Sequence, residues 1–265
     1  AILFLSSVAI VPFSSADESS EPTYTLSGVV YTADGNIANS TSIKVDSLPS
    51  VWTDGNGAYT FSGITPGEHT VRAYFMNDGH TVAYRKMFLS DDMQLDWYVG
   101  HNWITAEVFD ENGQAVENSP MTTVKLVDTG ESNSLVDGRT EFGPYITGDY
   151  YTMRAYYGDI DHSTQYVHFK LERGSASYPD LNDFDFQHGM NSVYGFITDG
   201  YGSPVSGATV STDSNSVVTN TDGFYLLQNL AVGSTQNLSF HVEGVQILDP
   251  VTTSINTGEN WLNQS

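Results

Sequence analysis

Three stretches of this chain carry the same pattern of turn residues and small strand residues, and that recurrence limits the fold more than any single position does. The first copy runs Leu26-Ser27-Gly28-Val29-Val30, Asp34-Gly35, Thr53-Asp54-Gly55-Asn56-Gly57 and Pro66-Gly67. The third runs Val193-Tyr194-Gly195-Phe196-Ile197, Asp199-Gly200, Thr219-Asn220-Thr221-Asp222-Gly223 and Val232-Gly233. Thr53 follows Gly28 by 25 positions and Thr219 follows Gly195 by 24, while Gly57 to Gly67 and Gly223 to Gly233 both span 10. A weaker copy lies between them: Ile104-Thr105-Ala106-Glu107-Val108, Asn112-Gly113, Gly138 to Phe142 and, 10 positions after Gly138, Gly148. A motif repeated in this way is one small structural unit used three times. The length of 265 residues suits three such units, which we place at 24–100, 101–189 (divergent) and 190–265.

Within each copy, apolar residues alternate with period two, as expected of strands with one buried face. Leu26/Gly28/Val30, Ile104/Ala106/Val108 and Val193/Gly195/Ile197 are equivalent triplets. Each has a small middle residue, which predicts a close approach of facing chain there. Val71/Ala73/Phe75, Met153/Ala155/Tyr157 and Leu238/Phe240/Val242 form a second matched set. Asp34-Gly35, Asn112-Gly113 and Asp199-Gly200 predict tight turns, because glycine accepts positive φ and Asp or Asn tolerates it. Many short strands, frequent turns and no helical periodicity predict an all-β fold of tandem sandwiches. At the end of the chain, Gly258-Glu259-Asn260-Trp261 looks like Gly100-His101-Asn102-Trp103. The spacing from Gly67 to Leu95 is 28 and that from Gly233 to Leu262 is 29. Leu262 is therefore assigned to the closing strand of the third unit rather than to a fourth.

Acidic residues number 32 against 9 basic, a formal charge of −23. Such a surface repels phosphate backbones and anionic membranes, so no nucleic-acid partner is expected. The chain has no cysteine, which excludes disulfides, thiolate catalysis and cysteine-zinc sites. Residues 1–13 are an apolar run, followed by Ser14-Ser15-Ala16 and the acidic stretch Asp17-Glu18-Ser19-Ser20-Glu21-Pro22. This order reads as the remnant of a secretory signal peptide over 1–16 and a polar linker over 17–23, and it predicts export. The apolar run is too short to span a bilayer.

The succession G-x-[VI], a D-G or G-x-P-V turn, A-x-V and T-[DN]-x-[DN]-G-x-[YF]-x-[FL]-x-x-[IL]-x-x-G resembles the carboxypeptidase regulatory-like domain. The third unit carries it best, with Gly195, Gly200, Pro204-Val205, Ala208-Thr209-Val210, Thr219, Asp222-Gly223-Phe224-Tyr225, Leu230 and Gly233. The first unit has Ile37-Ala38 where Pro-Val is expected, and the second replaces the Thr-Asp approach to Gly138 with Leu135-Val136-Asp137. The resemblance implies transthyretin-like (prealbumin/Ig-like) β-sandwiches, related in shape to pilin-type and carbohydrate-binding-like sandwiches. It implies little about function, since such domains are appendages to many proteins.

Candidate sites are sparse. No His is followed by Glu at +3, and neither G-x-S-x-G nor H-E-x-x-H occurs, so no enzyme is expected. No cofactor is called for, calcium being the one ion the acids suggest: Asp54 and Asn56, and separately Asp180, Asp183 and Asp185, each supply hard oxygen ligands. Trp52, Trp97 and Trp103 are candidates for stacking on sugar faces, with packing at a junction as the competing role for Trp97 and Trp103. Of three N-x-[ST] sequons, Asn39 in a polar loop is the best glycan acceptor. The expected protein is a secreted or cell-surface, non-enzymatic stalk, adhesion or interaction module with surface-protein or extracellular-polysaccharide partners. The alternatives are a carbohydrate- or polymer-binding module and an accessory region of a larger secreted hydrolase such as a peptidase.

Overall fold

The computed structural model describes residues 22–117, 119–174 and 182–265, and the regular elements among them are all β-strands. The signal segment and all but the last two residues of the linker lie outside the described residues, as does Asp180. No helix among the described residues is long and apolar enough to cross a membrane.

Around the first core run β1 (Tyr24–Tyr31), β2 (Thr41–Val45), β3 (Val51–Trp52), β4 (Ala58–Ile64), β5 (Gly67–Phe75), β6 (Thr81–Leu89), β7 (Met93–Gln94) and β8 (Trp97–Tyr98). The second has β9 (His101–Phe109), β10 (Thr122–Leu126), β11 (Ser132–Ser134), β12 (Arg139–Ile146), β13 (Tyr150–Tyr157), β14 (Thr164–Lys170) and β15 (Asp183–Gln187). The third has β16 (Met190–Phe196), β17 (Thr209–Ser211), β18 (Ser216–Val218), β19 (Phe224–Ala231), β20 (Thr235–Val242) and β21 (Val245–Ser254).

One plan recurs. A sheet ordered β3-β2-β5-β6 has its counterparts in β11-β10-β13-β14 and β18-β17-β20-β21. Facing it is a smaller sheet around the first strand of each unit: β4-β1-β7 with β8 also on β1, then β12-β9-β15, then β16-β19. The predicted alternation decides which side chains meet between the sheets. Leu26, Val30, Ile43, Val71, Ala73 and Phe75 are buried in the first cluster. Ile104, Ala106, Val108, Met153, Ala155 and Tyr157 are buried in the second, and Val193, Ile197, Leu238 and Phe240 in the third. Each such Val, Leu, Ile or Phe contributes about 1.5–3 kcal/mol by leaving water.

The small middle residue of the first strand has the predicted cause. A Cβ on Gly28 would sit 2.0 Å from the carbonyl oxygen of Leu95, and one on Gly195 would sit 2.1 Å from that of Leu262. The closing segment therefore lies directly against the glycine. Tyr59 Oη donates to Leu95 O at 2.6 Å, and Tyr225 Oη donates to Leu262 O at the same distance. The Leu95 amide donates to Ser27 O and the Leu262 amide to Tyr194 O. Trp261 pairs in parallel with Tyr194, so the end of the chain closes the third unit.

One turn differs from expectation. Gly35 and Gly113 have φ of 77°, but in the third copy the left-handed residue is Gly202 at 82° rather than Gly200. The cause is Asp199, whose Oδ1 accepts the amides of Tyr201 and Ser203 just as Asp110 Oδ1 accepts those of Asn112 and Gln114. In the first copy Thr32 Oγ1 takes this place and accepts the Asn36 amide, and in all three turns the left-handed glycine follows at the third position.

Candidate functional site

The residues singled out by sequence are scattered. Asp54 lies in the turn before β4, where its Oδ1 accepts the amides of Asn56 and Ala58 at 2.8 and 2.9 Å. Asn220 does the same for Asp222 and Phe224 in the third unit. These residues thus have a structural role in shaping the turn. Asp183, on β15, binds Lys86 at 2.8 Å and accepts from Tyr84 Oη at 3.1 Å, while Asp185 is exposed. Among the described residues no group of three or more His, Asp or Glu is placed to hold a metal ion.

The tryptophans have three different fates. Trp97 is 1% exposed, and its Nε1 donates to Tyr59 Oη at 3.2 Å, so its faces belong to the core and not to a ligand. Burial pushes the Tyr59 phenol well above the ordinary tyrosine range. Trp103 is half-buried against the first core, with the Arg85 guanidinium 4.1 Å above its ring. Trp52 is 57% exposed. It pairs with Ser42, which pairs in turn with Tyr74, so Trp52 and Tyr74 share the face opposite the core. The next row on that face is Lys44, Arg72 and Tyr84, and the second unit repeats it as Lys125, Arg154 and Tyr166. Asn39 is exposed on the loop before β2.

What sequence reasoning missed lies between the units. At the first junction Arg85 binds Glu141 at 3.0 Å, Lys86 binds Asp183, Arg139 pairs with Glu68, and Arg173 binds Asp78 at 3.1 Å. At the second, Lys170 binds Asp222 at 2.6 Å. Five of the nine Lys and Arg residues are thus engaged across unit boundaries. Burial pulls the Lys86 ammonium down, but its hydrogen bond to Asp183 and the charges of Asp183 and Glu107 more than offset this, so it titrates above an ordinary lysine. Hydrogen bonds from Lys170 and Tyr150 hold the Asp222 carboxyl below the usual range. A cleft of about 640 Å³ opens at the first junction, lined in part by Glu68, Arg85, Lys86, Phe88, Val136 and Arg139. The scarcity of Lys and Arg in the sequence was the available signal, but their partners are 52 to 97 positions away.

The second junction also holds a cluster of rings. His168 stacks on Tyr150 at 5.5 Å and 8°, lies 4.6 Å from Trp261, and meets Tyr194 and Phe224. Burial lowers the His168 pKa against the opposing pull of Asp128 and Glu259. The Tyr150 phenol is pushed up to about 12, mainly by burial. Pairs of this geometry contribute about 0.5–1.5 kcal/mol each beyond area burial.

No protein-family model matches the sequence, and no curated protein matches it. Among solved structures, the Bacillus anthracis TIE protein is similar at 11% identity and a TM-score of 0.25, over 91% of this chain. This chain spans half the length of that one. The major pilin subunit of Bacillus cereus is similar at 9% identity and a TM-score of 0.25, over 92% of this chain and 99% of that one. A DUF3823 family protein from Bacteroides uniformis is similar at 11% identity and a TM-score of 0.25, over 88% of this chain and all of that one. Identities and TM-scores this low say nothing about which residues of this chain act, and its own side chains must carry the functional reading.

Proposed function

We propose that the chain is an exported, non-enzymatic surface protein in which three transthyretin-like domains, 24–100, 101–189 and 190–265, serve as a stalk or interaction module. The observation that carries this reading is the concentration of scarce cations at the unit junctions. A chain of charge −23 with nine Lys and Arg commits five of them to tying successive units together. An exposed ion pair contributes only about 0–1 kcal/mol, so a set of them adds modest energy but fixes the orientation of one unit on the next. A spacer needs that property. Removing the chain from its host should weaken attachment of whole cells to a surface. Unchanged attachment, together with retention of the protein inside the cell, would count against the reading.

A second reading has its own support in the face that carries Trp52 and Tyr74 beside the Lys44–Arg72 row. Flat rings flanked by cations suit a polysaccharide that carries carboxylates, with stacking on the sugar faces and charge-assisted hydrogen bonds to the acid groups. On a panel of neutral and uronic-acid glycans, binding should favour the uronic-acid members and drop at least tenfold in Trp52→Ala, a loss of about 1.4 kcal/mol or more. Absence of binding across the panel sinks this reading.

A further inference from the structure

The two junctions share three hydrogen bonds made by one buried asparagine. Asn102, at the start of β9, is 1% exposed; its Oδ1 accepts the amide of Tyr84 on the preceding unit's edge strand at 2.9 Å and that of its neighbour Trp103 at 2.9 Å. Its Nδ2 donates to the Glu172 carbonyl at 3.1 Å. Asn191, at the start of β16, is fully buried; its Oδ1 accepts the amide of Tyr166 at 2.9 Å and that of its neighbour Ser192 at 2.9 Å. Its Nδ2 donates to the carbonyls of Asn256 and Gly258. Glu172 and Asn256 are equivalent, each one residue beyond a buried residue, Leu171 or Ile255, whose carbonyl accepts the amide of the matching turn glycine, Gly148 or Gly233. Tyr84 and Tyr166 are equivalent too, being the residues opposite Arg72 and Arg154 in the Lys–Arg–Tyr rows.

An edge strand ends with outward amides unpaired, and a buried unpaired amide costs about 1–3 kcal/mol. The asparagine satisfies that amide, the next amide of its own strand and a carbonyl at once. Among uncharged side chains only asparagine and glutamine set a carbonyl acceptor and an amino donor side by side for this. The joint is directional: the leading strand of one unit supplies the asparagine, and the trailing edge strand of the unit before it supplies the amide.

We infer that Asn102 and Asn191 lock successive units into one rigid array through a directional joint. This holds independently of the stalk and polysaccharide readings.

Residue-resolved hydrogen exchange on the full chain tests it. In the unaltered protein the Tyr84 and Tyr166 amides should be among the slowest to exchange. Rapid exchange at either overturns the proposal without any variant. Asn102→Leu should speed exchange at Tyr84 by about tenfold or more and leave Tyr166 unchanged, and Asn191→Leu should do the reverse. Small-angle scattering should show each variant sampling a wider spread of dimensions than the parent. Equal protection at Tyr84 with and without Asn102 refutes the joint.

Discussion

Gly28 and Gly195 are conspicuous in the sequence as small residues at the centre of apolar triplets, and the structure supplies the reason in the carbonyl oxygens of Leu95 and Leu262. A methyl group added at Gly195 would sit 2.1 Å from Leu262 O, and the atom it meets is backbone. Gly195→Ala should destabilise the third unit by about 1–3 kcal/mol, as overpacking does. For a unit of this size that lowers the melting midpoint by roughly 4–8 °C per kcal/mol. An unchanged midpoint by calorimetry would show that the closing segment does not hold its place against β16. The turn aspartates were legible in a weaker sense. Asp199-Gly200 marks the right turn but the wrong glycine, because the side-chain bonds of Asp199 to Tyr201 and Ser203 set the register. Dipeptide signals locate a turn without resolving its conformation.

At the level of strands, the alternation told which residues face a core and left the opposite faces ambiguous. Trp97 and Trp52 are both stacking candidates in the sequence, with packing as the competing role for Trp97; Trp97 is core and Trp52 is 57% exposed. The difference is that β8 runs beside β1 under the sandwich, whereas β3 is an outer strand of its sheet. His168 on β14 shows the same limit, since its ring is buried by Trp261 and Phe224 from another unit. Its lowered pKa has a consequence of definite sign. Between the folded and unfolded values the unfolded chain binds more protons, so stability is fully present above the ordinary histidine pKa of about 6.5. It is lost as pH falls from there toward the folded value. His168→Gln, which keeps a side-chain partner for Thr152, should flatten the slope of unfolding free energy against pH in that window. Parallel slopes for parent and variant would remove His168 from the account.

For the whole molecule, two electrostatic effects oppose each other. Salt weakens the ion pairs that cross the junctions, each contributing about 0–1 kcal/mol, and it also screens the mutual repulsion of a −23 chain. The excess of 23 acidic charges outnumbers the five junction cations, so repulsion dominates. The melting midpoint should therefore rise with sodium chloride up to roughly 0.15 M, where the screening length is about 8 Å. A falling midpoint over that range would mean that the junction pairs dominate. By itself the sequence determined the all-β class, the threefold pattern, the core faces and the place of Trp261 in the third unit. All of these arise from local periodicity and turn chemistry, which act over a few residues. Only the tertiary structure decided which buried asparagines join the units and where the cations pair. Those depend on residues far apart in the chain meeting at a sheet edge, and no local pattern encodes which edge amide a buried asparagine will find.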